Sequence, residues 1–412
     1  MITSRPPGTD LPAQPLARTE ALIPGDRVAR VSLPAIKATP RDGAIVFGVT
    51  LGVYLAAAWL TVNELQLFLP RTMARTAQVM ELLAGQHPDL ANVGFNSMPL
   101  LLLGQMPLML LPALNHAGLA ANILSAVLAA VACAGTLAAL DALGLRRPLR
   151  LLALIPISLV LLLPAATGMS GTMALAFSVW SLAYAIRWWR SRQLLPLALS
   201  SFSLAAACLA SPLALIQAGL MPFALRHAAI KRADRPGAAQ ALIIAYLTPV
   251  AGGVLLWLLI CLVAGGNPAA VLTARDSAPA FSSSQWTVPM LGPVPDWTAA
   301  RSIAAYLAEH HQGRDVLVDD HSAYPVMFFA GQAGWFAGSS DTDFQQTLEQ
   351  PAGRVRYILL ANPRLEPTLD LINQAWPRLF DNGAEWVRVE QQWGQSGSNG
   401  SVWKLFRVAG TP

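Results

Sequence analysis

"MPLLLLGQMPLMLLPAL", residues 98–114, decides how often this chain of 412 residues crosses a membrane. The segment is apolar throughout, yet it is short and carries Pro99, Pro107 and Pro112. A crossing helix needs about 20 apolar residues, and an interior proline removes a helix hydrogen bond and kinks the chain. A surface-lying or re-entrant helix therefore suits these residues better than a full span.

Seven other apolar segments lie near 44–62, 117–140, 148–166, 171–187, 194–210, 212–226 and 239–264. Basic residues cluster in the tail before Gly43 and at "LRRPLR" (145–150), "RWWRSR" (187–192) and "RHAAIKRADR" (226–235). Short loops rich in Lys and Arg stay in the cytosol. All four clusters share that side only if 98–114 does not cross and 194–226 is a hairpin bent near Ser211-Pro212. The result is seven spans with the N-terminus cytoplasmic and the C-terminus outside. An eight-span arrangement would turn three basic loops outward.

Composition agrees with this class. Hydrophobic residues make up 54% and charged residues 12%, against about 25% charged in a soluble domain, and mean hydropathy is +0.46. In a soluble chain the formal charge of +5 would invite a nucleic-acid partner. Here the basic residues serve topology, and no nucleic acid is expected. Cys133, Cys208 and Cys261 each lie inside an apolar run and read as small buried hydrophobes. Trp59, Trp188 and Trp189 near the segment ends fit an aromatic belt. Residues 1–42 hold many prolines and no apolar core, which reads as a disordered cytosolic tail.

The chain changes character after 264. Residues 265–295 form a Pro/Ser-rich linker, and Asp296 is placed to cap a helix "WTAARSIAAYLAEHH". "DVLVDD", a helix near 323–331, "WFAG", an acidic helix near 341–350, "VRYILLA", a helix near 366–375, "EWVRVE" and "SVWKLFRV" then alternate. That order predicts a small α/β domain over 296–412, on the outer side if seven spans precede it. "VDDHSAYP" sets Asp319, Asp320 and His321 at the carboxyl end of a strand, where open α/β sheets bind ligands. Loops after strands are polar in general, so the triplet alone does not define a metal site.

The transmembrane module, 43–264, resembles the C superfamily of glycosyltransferases, integral membrane enzymes that use lipid-phosphate-linked sugars. "NELQLFLPRTMARTAQVMELLAGQHPDL" looks like the start of that family's first outer loop, here residues 63–97. "NSMPLLLLGQMPLMLLPAL" is similar to its proline-marked juxtamembrane segment, and "SLAAACLASPLALIQAGLMPFALR" to a later hairpin. The resemblance implies a bacterial inner-membrane protein moving a sugar from a polyprenyl-phosphate donor to an acceptor on the outer, periplasmic face. It implies a catalytic base at the head of the loop. There the family's usual Asp-acid pair is replaced by Asn63 and Glu64, and an amide cannot accept a proton. The turn "AATGMSGT" has no acid, and Ser211 stands where relatives often carry lysine.

Glu64 is accordingly the candidate general base, or the ligand of a divalent cation shared with a sugar phosphate; no other cofactor is implied. Asn63 would orient acceptor or phosphate. Arg71 and Arg75 lie four residues apart, on one face of a predicted helix, and can clamp a phosphate or rest among lipid head groups. His87 and Asp89 are candidates for acceptor or metal, and Asn96 for substrate. The alternative function is a catalytically inactive relative that acts as a membrane scaffold and offers the C-terminal domain to a protein partner. A transporter is disfavoured, because no ionisable residue lies mid-span.

Overall fold

The computed structural model describes residues 40–85, 99–111, 114, 118–211, 213–230, 237–265, 297–311, 313–364, 370–395 and 401–409. Candidates His87, Asp89 and Asn96, the tail 1–39, the linker and the proposed cap Asp296 lie outside them.

α1, Pro40–Trp59, opens on a proline, which the first helical turn tolerates. It runs into a π-helical turn, Leu60–Glu64. α2 is Pro70–Ala84 and α3 is Pro99–Met109. α4 (Ala120–Ala142), α5 (Arg147–Ala166) and α6 (Gly171–Ser191) follow, then α7 (Leu194–Ala210), α8 (Ala214–Ile230) and α9 (Ala238–Gly265). Among the described residues four helices are long and apolar enough to cross a membrane: Arg41–Glu64, Ala120–Ala142, Arg147–Ala166 and Ala239–Ile260. α6 has 21 residues but ends in Arg and Trp, and α7 and α8 have 17 each. α3 has only 11 residues, a rise of about 16 Å against a hydrocarbon core of about 30 Å. The described part of 98–114 is thus too short to span as a helix.

The outer surface of the bundle is apolar: Leu152, Ile155, Leu159 and Val160 on α5, Ile216, Leu220 and Phe223 on α8, Leu255, Leu259 and Val263 on α9 are all exposed. Soluble monomers do not carry contiguous patches of this kind. Inside, α4 packs on α1, α5 and α6 through Ala126, Ala129, Ala130 and Cys133, the small-residue packing expected between helices in lipid. Several polar groups there are hydrogen-bonded. Tyr54 Oη donates to the Ser158 carbonyl at 3.0 Å, and Ser181, Ser200 and Tyr246 form a triangle of hydroxyls 3.2–3.3 Å apart. Cys133 and Cys208 are buried and free. Trp188 departs from the aromatic-belt expectation: it is buried between α6, α7 and their neighbours, with the Arg192 guanidinium 5.0 Å from its ring.

The two ends of the bundle differ in chemistry. At one end Arg147 pairs with Asp42 at 2.7 Å, and Arg150 with Asp141. A side chain at Gly144 would lie 3.0 Å from the Arg190 guanidinium, and Arg190 and Leu225 border a common groove. The described parts of all four basic clusters therefore gather there. At the other end sit the α5–α6 turn, α2 and the C-terminal domain.

That domain begins with α10, Thr298–His310. Then come β1 (Val316–Leu317), α11 (Asp320–Ala330), β2 (Phe336–Ala337), α12 (Phe344–Glu349) and β3 (Tyr357–Ala361). α13 (Leu371–Ala375), α14 (Leu379–Asn382) and the hairpin β4 (Val387–Gln395) to β5 (Ser401–Val408) complete it. The sheet order is β2-β1-β3-β5-β4. β1 is parallel to β2 and β3, while β5 is antiparallel to β3 and β4. Successive strand residues face opposite sides. Val316, Tyr357, Leu359 and Leu405 join α10 and α11 in one core, whereas Leu317, Ile358, Leu360 and Phe406 join α12, α13 and α14 in the other. The expected α/β pattern is present.

Candidate functional site

α2 joins the bundle to the domain, because two stripes of one short helix face two different neighbours. Thr72, Arg75, Thr76 and Val79 follow the helical repeat and turn to the bundle. Thr72 Oγ1 donates to the Thr167 carbonyl at 2.9 Å, and Gln105 Nε2 of α3 donates to Thr76 Oγ1 at 2.9 Å. Arg75 is held from two sides: Nε donates to Gln105 Oε1 at 3.2 Å and Nη2 to the Gly168 carbonyl at 2.5 Å. The turn that receives it is closed by Gly168 at φ +72°, and Asn122 anchors it from α4 by donating to the Ala166 carbonyl at 2.5 Å. Among the described residues no carboxylate neutralises Arg75. Burial lowers its pKa to about 10, so it remains a cation at neutral pH. A fixed guanidinium with only neutral partners is suited to an anion.

Arg71, one turn earlier, is partly buried and burial lowers its pKa as well. Asn63 and Glu64 sit on the π-helical turn at the end of α1, both exposed. The Asn63 amide donates to the Trp59 carbonyl of its own helix at 3.1 Å. Among the described residues the Glu64 carboxylate accepts no hydrogen bond. Beyond it the loop is clamped to the domain. Gln66, at φ +49°, accepts from Arg301 of α10. Phe68 lies edge-on to Phe328 and Phe329 at 5.3 and 5.5 Å, with the Arg301 guanidinium 4.8 Å from the Phe329 ring.

The other stripe of α2 carries Ala77, Glu81 and Ala84. Ala77 completes the core formed by α10, α11 and the sheet. Glu81 is 4% exposed, and its carboxyl lies beside Asp320 of α11 and Ser340. Burial, then the neighbouring charges of Asp320 and Asp341, push the Glu81 carboxyl far up. Asp320 is raised too, by burial, against the Ser340 hydrogen bonds that lower it. Sequence reasoning passed over Glu81. Its only signal is an acid in register with Ala77 and Ala84 on an otherwise apolar stripe, and its partner lies far along the chain.

Of the triplet, Asp319 and Asp320 both meet the Ser339 hydroxyl, and His321 contributes its backbone N–H. Asp319 caps α11, accepting from His321 N at 3.0 Å, and also accepts from Leu371 N at 2.6 Å. Asp341 accepts from Arg314 Nη2 at 2.5 Å and from Gly338 N at 2.9 Å. Among the described residues no group of three or more His, Cys, Asp or Glu side chains is arranged to hold a metal ion. Glu64, expected to share a divalent cation, belongs to no such group among the described residues.

The fold and this junction define a predominantly helical protein with, among the described residues, four helices long and apolar enough to cross a membrane, and a small mixed-sheet domain seated on the loop helix of its bundle. Comparison with family models, with curated proteins and with solved structures gives no match.

Proposed function

We propose that the protein is a bacterial inner-membrane glycosyltransferase with seven crossings that transfers a sugar from a polyprenyl-phosphate donor to an acceptor on the periplasmic face. The gathering of the basic clusters at one end supports this orientation, since positive loops stay cytoplasmic. It leaves α2 and the α/β domain on the periplasmic side. The observation that carries the reading is Arg75: a guanidinium fixed by Gln105 and Gly168, without a carboxylate partner among the described residues, on the loop that also bears Glu64. Arg75 would hold the donor phosphate. Glu64, open to solvent, would take the acceptor proton. Arg71, His87, Asp89 and Asn96 would contribute to substrate binding, and a divalent cation, if used, would bind at Glu64 and the phosphate.

Sugar transfer by the purified chain, compared with Glu64→Gln, tests this directly. Loss of a general base lowers turnover by about 10²–10⁴-fold while donor binding holds. Equal rates in the two proteins would remove Glu64 from the mechanism.

One observation favours a second reading. At the position where the resembled family has its base, the Asn63 amide bonds back to its own helix. An inactive scaffold would retain this capped turn and present the α/β domain to a partner. Stoichiometric co-purification of that partner with no transfer activity would select it.

A further inference from the structure

The hydroxyl triangle of Ser181, Ser200 and Tyr246 is satisfied within itself and ties α6, α7 and α9 together. Arg75 already belongs to the proposed function. The junction of Glu81 with Asp320 goes further, and it holds whether or not a sugar is transferred.

Both carboxyls lie where α2 meets the first turn of α11. Gly338 allows the approach, because a side chain there would overlap the Asp320 carboxyl. Asp320 Oδ2 accepts from Ser340 N at 2.7 Å and from Ser339 Oγ at 3.4 Å. Its other oxygen, Oδ1, is buried and has no hydrogen-bond partner among the described residues. Among the described residues the charged groups nearby offer no neutralisation. Asp319 is occupied as the α11 cap, and Asp370 caps α13 through Asn373 N at 2.5 Å. Arg314 is bound by Asp341 and Asp343. His311 lies against Trp335 at 3.8 Å, in the turn behind Ala84, and α3 has no ionisable residue.

Two like charges in contact and out of water do not both ionise. We propose that Glu81 and Asp320 share one proton, and that this proton is a pH-sensitive latch holding the α/β domain against α2. Helix ends decide which partner carries it. Asp320 is in the first turn of α11, where the helix dipole favours an anion, and Glu81 is in the last turn of α2, where it disfavours one. Glu81 therefore donates and Asp320 accepts, at the oxygen left bare.

The sign follows from linkage. The docked form keeps a proton that a water-exposed Glu81 releases in the ordinary carboxylate range, so docking is tightest in acid and weakens as pH rises through neutrality. While one proton separates the two forms, the docking constant falls by about tenfold per pH unit.

Two measurements on the full chain in detergent test the latch. The infrared carbonyl stretch of a protonated carboxyl, followed with isotope-labelled glutamate, should persist in the wild type at about pH 8, well above the ordinary glutamate range. In parallel, the thermal midpoint should fall from about pH 5 to about pH 9 in the wild type and fall much less in Glu81→Gln and Asp320→Asn, which retain a hydrogen bond without the shared proton. Absence of the band at the higher pH, or the same pH slope in wild type and both variants, overturns the proposal. The infrared reading needs no variant and stands even if a variant fails to fold.

Discussion

The two cores of this molecule are built from different residues. In the bundle, the buried contact of α1, α4, α5 and α6 is mostly alanine with one cysteine, one leucine and one tyrosine. In the domain, Ile303, Leu307, Val316, Val326, Phe336 and Leu405 fill one side of the sheet, and Leu317, Phe344, Ile358, Phe380 and Phe406 the other. Water drives the second kind of core, in which stability rises with the apolar area buried. Lipid offers no such drive between helices, so close approach and hydrogen bonds hold the first kind together. Truncation should therefore be the most damaging change in the domain, and enlargement the damaging change in the bundle.

The largest effect is expected where water is the reference. Ile303 is fully buried on α10, and Ile303→Ala should cost about 2–5 kcal/mol, read as early unfolding of the domain in denaturant. In the bundle the damaging change is enlargement. Ala130→Leu forces a branched side chain into the α4 interface, where Ala130 has no exposed surface, and should cost about 1–3 kcal/mol by unfolding in mixed detergent. A domain variant that unfolds no earlier than wild type, or an Ala130→Leu protein as stable as wild type, would break the contrast. The smallest effect belongs to the hydroxyl triangle. Tyr246→Phe removes its contacts to Ser181 and Ser200 and should cost about 0.6 kcal/mol, the average for such bonds between helices in lipid. A loss of several kcal/mol would show that the triangle organises the bundle.

Features set by a run of neighbouring residues were legible in the sequence. Hydropathy marked α1, α4, α5 and α9, the proline-marked segment is a short helix, and the bend at Ser211 separates α7 from α8. Alternating strands and helices gave the domain pattern, since a period of two or of 3.6 is written locally. The π-helical turn below Asn63 and Glu64 was not legible. It differs from an α-helix by one inserted residue and has no composition of its own. Arg71 and Arg75 were placed on one helix, as their spacing requires, but nothing local shows that Arg75 ends between Gln105 and Gly168. Glu81 was missed for the same reason. A lone acid on an amphipathic helix looks like a solvated one until a strand-end carboxyl arrives from elsewhere in the chain.

The seat of Ala77 in the domain core has a consequence for the order of assembly. α2 leaves the ribosome well before α10 and the strands are made, so the bundle can mature with that stripe still bare. The C-terminal segment then closes over a template already in place, and when it is cut away and produced alone it lacks one wall of its own interior.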